Sequence, residues 1–207
     1  MRKKAKKFQY RSRSPYVMYM RITEYEMQGI DHFLELTGRA RKLGQQDLEQ
    51  LVAKASNNVP DDWLVDDFAQ LDEFTSLFAE FAIVGLWRCI ELYRKRVILF
   101  AFGTQAATKV FRHKEFQKQL KSLGIDETQI RCARSVDELR CLNNSIKHSQ
   151  RVNEELAEFT RWKNKKGDKL GDLESHYRRL RPVAERYLKD FSWRLDRIWK
   201  SKITHNT

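Results

Sequence analysis

Two residues able to handle protons and phosphates stand four positions apart in this chain, Asn144 and His148. Arg140 precedes the asparagine by another four residues, and Lys147 adjoins the histidine. On a helix, fourfold steps drift slowly round one face, so these groups come within reach of one ligand. An imidazole titrates near neutral pH and serves as base or acid, while a guanidinium matches phosphate oxygens geometrically. Together they suit proton transfer beside one bound, negatively charged ligand. A plainer reading stands beside this one. His148 is then a histidine at a helix C-terminus, and Asn144 bonds a backbone carbonyl in the core.

A second constellation is Glu91-Leu-Tyr-Arg-Lys95-Arg96. Glu91 and Lys95 form an i,i+4 pair in the favourable orientation. Apolar residues on both sides predict a partly buried charged collar, where ions need partners. It reads either as a structural ion pair or as a source of charge for the first constellation. No Ser or Cys lies in a recognisable nucleophile motif. Three cysteines without C-x-x-C spacing and five scattered histidines without HExxH predict reduced thiols and no metal or cofactor. Trp162, Trp193 and Trp199 stand near basic residues, where they either stack on bases or fill a core.

The elements that must position these residues read as helices. Ser135 with Glu138 is a capping-box start, predicting a helix from residue 136 with Leu139, Leu142 and Ile146 on its apolar face. Between Asp61 and Gly103 there is no Pro, and Gly85 is the only glycine. This is the longest helical stretch, with a break near Leu71 or a bend at Gly85 as options. Its apolar arc is wide enough for the centre of a bundle or a dimer interface. Further helices are expected from Glu24 to a stop near Gly38, after Gly44 up to Ala55, and over residues 108–123 up to Gly124. Residues 162–171 read as a basic loop or hairpin. A last helix starts near Leu173 and is kinked or restarted by Pro182. Residues 16–22 are rich in β-formers and predict a short extended piece. The fold class is therefore an all-α, up-and-down helical bundle with a long central helix. Residues 1–22 are a disordered or extended basic arm, and residues 23–207 a single helical domain.

The net charge of +12 is unevenly spread. Residues 1–21 hold eight Lys or Arg and no acid, residues 45–80 hold nine acids and one Lys, and residues 81–207 hold 28 bases against 15 acids. This layout predicts a polyanion, most simply nucleic acid, at the C-terminal half. The acidic segment then faces a basic partner or the protein's own basic surface. No apolar h-region follows the basic start, and charges interrupt the most apolar stretch. A cytoplasmic chain with no membrane contact is expected.

Glu91-Leu-Tyr-Arg-Lys95-Arg96 on a long bundle helix, followed by Asn144-Ser-Ile-Lys147-His148 on another, resembles the HEPN superfamily of small helical proteins. The likeness covers residues 60–200. It implies a metal-independent endoribonuclease of toxin or phage-defence type. Such a protein acts as a homodimer with a composite cleft, alongside an antitoxin protein such as a nucleotidyltransferase. In the family motif an arginine precedes the polar residue. Here His148 takes the histidine position and Asn144 the polar one, but Asn143 stands where the arginine belongs. The resemblance makes His148 the general base, aided by Asn144 and Lys147. Arg140, Asn143, Arg151, Glu91, Lys95 and Arg96 then meet RNA or its phosphates. Loss of one such cation typically costs about a hundredfold in rate. Either the charge has moved to a neighbour, or RNA is bound without being cut. A non-catalytic helical module for dimerisation or protein binding is the alternative.

Overall fold

Ser14 and Pro15 open the first described helix. The Ser14 hydroxyl accepts a hydrogen bond from the Val17 amide at 3.2 Å, and Pro15 occupies the first helical turn, where its missing N–H costs nothing. Residues 16–22, expected to be extended, are therefore helical. Helix α1 (Pro15–Arg21) passes through a π-helical turn (Ile22–Met27) into α2 (Gln28–Ala55). Burial of Met18, Tyr19, Ile22 and Met27 overrides their β-propensity. Tyr93 fastens this start by donating to the Pro15 carbonyl at 3.1 Å. The computed structural model describes residues 14–55, 61–102 and 113–204. The remainder of the basic arm and the Gly103 stop lie outside them.

Helix α2 runs through Gly38 and Gly44, where stops were expected. A glycine ends a helix by turning left-handed, and neither residue does so. Gly44 instead lets Leu71 approach, since a Cβ there would stand 3.4 Å from Leu71 Cδ1. Helix α3 (Asp61–Phe102) is likewise unbroken at Leu71 and Gly85. At Gly85 a Cβ would meet Ile30 Cδ1 at 3.1 Å, so this glycine serves the α2–α3 crossing.

After α4 (His113–Ser122), Gly124 turns left-handed at φ +77° and ends the helix as expected. Asp126 caps a 3-10 turn (Glu127–Gln129), its carboxylate accepting from the Thr128 amide at 2.9 Å. Helix α5 (Ala133–His148) starts three residues earlier than the capping box predicts, after Cys132 in the left-handed region. The reason is Glu138. It turns into the core, where it accepts from Trp162 Nε1 and Arg179 Nη1, each at 3.0 Å, and does not reach back to cap.

Short α6 (Glu154–Ala157) and a hairpin-like loop closed by an Arg151–Lys169 bridge lead to α7 (Leu173–Thr204). Helix α7 neither stops nor restarts at Pro182. The fold is an all-α bundle, with no strand among the described residues. Helix α3 packs against α1, α2, α5 and α7, and α7 also packs against α1 and α5. At the centre the rings of Tyr93, Phe116 and Tyr187 surround Phe191, with centroids 5.8–5.9 Å away. Cys89 of α3 and Cys141 of α5 are buried, and burial pushes their thiols up to about 11 and about 12. Among the described residues, no helix is long and apolar enough to cross a membrane.

Candidate functional site

Val84, Arg88, Glu91 and Lys95 recur along one face of α3 at three- and four-residue steps. Arg140, Asn144 and Lys147 do the same on α5. The two helices pack together, and these faces bound a cleft of about 550 Å³, completed by Trp87, Leu92, Arg94 and His113. A second compartment of about 460 Å³ shares Trp87, Arg94, His113 and Arg140 with the first. It continues to Glu127, Asp137 and Phe159.

The buried part of the collar is Arg94, only 4% exposed. Its Nη2 donates to Glu127 Oε1 and to Tyr187 Oη, both at 2.7 Å, and Tyr187 Oη donates to Glu127 Oε1 at 3.0 Å. The guanidinium also lies 4.4 Å from the Phe116 ring centroid. A desolvated charge needs such partners, since an uncompensated one costs several kcal/mol. Burial raises the Tyr187 hydroxyl well above its ordinary range. Arg140, at the junction of the compartments, donates to Asp137 Oδ1 at 2.7 Å and to Glu155 Oε2 at 3.1 Å. Arg88, Glu91, Lys95 and Lys147 are exposed.

His113 stands where the compartments meet. Its Nε2 lies 3.1 Å from Gln117 Nε2, 3.8 Å from Asp137 Oδ1 and 4.0 Å from Glu127 Oε2. Burial lowers its pKa below the usual histidine value. Glu127 opposes that shift, while Arg94 and Arg140 reinforce it.

Of the residues singled out in the sequence, Glu91, Lys95, Arg140, Asn144 and Lys147 share the first compartment. The other four do not line it. His148 is the exposed last residue of α5, on the slow drift that carries a fourfold stripe off one face. Arg96 is exposed 4.0 Å from Glu26, and Arg151 donates to the Gly167 carbonyl at 2.7 Å. Asn143 is 1% exposed, its amide 3.4 Å from Asn144 Oδ1, so it offers nothing to a phosphate in the cleft. Trp162 is buried and stacked on His176 at 4.3 Å, a core residue.

Sequence reading gave no role to Arg88 or His113, and to Arg94 only a place in the partly buried collar, which it takes. Arg88 carries a signal, lying three residues before Glu91 on the Glu91–Lys95 stripe. His113 carries none, because only the return of α4 beside α3 brings it to the cleft. Among the described residues, no three His, Cys, Asp or Glu side chains converge as metal ligands. No protein-family model, curated protein or solved structure matches this chain.

Proposed function

We propose that this chain binds RNA along the α3–α5 cleft and cleaves it without a metal, as a HEPN-like endoribonuclease of toxin or phage-defence type. One observation carries the reading. Glu91 and Lys95 of α3, far in sequence from Asn144 and Lys147 of α5, line the same cleft, as does the exposed Arg88. Exposed cations along a groove match a phosphate backbone, and an amide among them can orient a phosphodiester. Cleavage then needs an imidazole. The resemblance to the HEPN superfamily names His148, four residues beyond Asn144 at the exposed end of α5, and a homodimer would bring a second copy of each helix to the reaction.

The test is fluorescence anisotropy of a short single-stranded RNA across a salt series. Affinity should fall with salt, and Lys147→Ala should flatten the log–log slope by about 0.7, the value for one lost phosphate contact. Absent or salt-insensitive binding overturns the reading. A non-catalytic interaction module has its own supporting observation: Leu43, Leu51, Phe74, Leu77 and Phe81 are exposed along α2 and the first half of α3. Association through that surface, with no RNA binding, would favour it.

A further inference from the structure

We propose that the groove between the first half of α3 and the hairpin-like loop after α5 is the docking site of the chain's own basic N-terminal segment, residues 1–13. The inference is independent of the RNA reading, which uses the other half of α3.

The groove measures about 800 Å³. Phe74 and Leu77 line it from α3 and Leu170 from the loop, while Asp72, Glu73 and Glu80 give it negative charge. Phe74, Leu77 and Phe81 recur at three- and four-residue steps, so they form one stripe of the helix, and all three are exposed. Exposed apolar surface rimmed by charged side chains marks an interaction site. Glu80 is half-buried, and its Oε2 accepts from Gln150 Nε2 at 3.5 Å, the outer limit of a hydrogen bond. A cation would be a stronger partner for that carboxylate.

Charge selects the occupant. Residues 61–80 hold seven acids and no base. Arg41, paired with Asp72 at 2.6 Å, and Lys169 in the wall of the groove offset part of that charge. A second copy of the same surface would set like charges face to face, which opposes self-association there. Residues 1–13 hold seven Lys or Arg, no acid, and the aromatic Phe8 and Tyr10. Long basic side chains suit this groove in both respects. Their hydrocarbon stems cover apolar surface while their charged heads reach carboxylates at its edge. An ammonium over the Phe74 ring adds a cation–π contact.

The point from which the segment sets out is fixed, because the Pro15 carbonyl accepts from Tyr93 Oη at 3.1 Å. Leu77 and Phe74 precede Tyr93 by 16 and 19 residues on α3. At 1.5 Å per residue they stand about 24 and 28 Å away along the helix. An extended chain spans at most about 3.3–3.6 Å per residue, so roughly eight to ten residues cover that distance with an allowance for the width of the bundle. Residues 1–5, with Arg2, Lys3 and Lys4, then come to the groove of their own molecule, and Lys6 and Lys7 to its edge.

A water-soluble carbodiimide joins a lysine amine to a carboxylate in contact with it. The experiment treats the full chain with this reagent and maps the links in the monomer by mass spectrometry. Lys3 or Lys4 should link to Asp72, Glu73 or Glu80. In 1 M salt, where the screening length falls to about 3 Å, about tenfold fewer links should form. Asp67→Lys together with Glu73→Lys, both exposed positions, should cut the links at Asp72 and Glu80 by about threefold or more. Should that double variant fail to fold, the salt series on the wild-type chain decides. Absence of these links, links unchanged by salt, or links spread evenly over exposed acids elsewhere, such as Glu35, Glu154 and Glu158, overturns the proposal. Links confined to a dimer give the groove to the segment of a second copy, and overturn it too. A dimer joined through the Phe74–Leu77–Phe81 stripe, with Lys3 and Lys4 unlinked, removes the docking site altogether.

Discussion

The two halves of α3 lie in different surroundings. From Ala79 to Ile98 the helix packs against α1, α2, α5 and α7; Arg94 is drawn into a buried network, and Arg88, Glu91 and Lys95 line the cleft. Before Ala79 it runs beside α2 with Phe33 edge-on to Phe78 at 5.5 Å, and Phe74 is 56% exposed. The exposed Asp66, Asp67, Asp72 and Glu73 make that half acidic, while the cleft half meets cations. One continuous helix thus joins a negative, partly apolar arm to a positive groove. Its surroundings, and not its propensity, set what each half does.

The contrast is sharpest in the ion pairs. Arg94→Ala would leave Glu127 buried without its cation, and urea denaturation should show a loss of about 3–5 kcal/mol. Arg41 pairs with Asp72 at 2.6 Å on the exposed arm. Arg41→Ala should cost less than about 1 kcal/mol in the same assay, because solvent screens that pair. Similar losses for the two variants would break the comparison.

A smaller effect follows from pH. Burial lowers the pKa of His113 and of His176, the latter with a contribution from Arg179. For both, the unfolded chain binds the proton more readily than the folded one. Stability is therefore complete above the ordinary histidine pKa of about 6.5 and declines as pH falls below it. Thermal melts between pH 7 and pH 5 should show this decline, reduced in His113→Asn. An unchanged pH dependence in that variant would mean the ring is not desolvated.

The smallest effects separate two glycines. At Gly38 a Cβ meets nothing within 4 Å, so Gly38→Ala should stabilise by roughly 0.5–1 kcal/mol. At Gly85 the added carbon presses on Ile30 at 3.1 Å, so Gly85→Ala should lose that gain or reverse it. Equal gains at both sites would mean that the helix crossing is looser than described.

These glycines show where sequence reading was strong and where it failed. The long helix was legible in a run without proline and with a wide apolar arc, and Gly124 was legible as a stop. Gly38 and Gly44 misled because composition does not tell a glycine that turns left-handed from one that stays within a helix. Ser135 and Glu138 misled for a related reason: a carboxylate that can cap can also be claimed by Arg179 and the buried Trp162. At the candidate site, Glu91, Lys95, Arg140, Asn144 and Lys147 were legible from helical spacing alone. Arg94 with Glu127, and His113 with both, are joined by tertiary contact and leave no pattern in the chain.

The buried thiols have a practical bearing. Cys89 and Cys141 belong to the two helices that bound the cleft, and at neutral pH almost none of either is thiolate. Alkylating reagents and peroxide should pass them by while α3 and α5 stay together. Their reaction would then time the parting of those helices, so the native chain carries its own chemical clock for the opening of its groove.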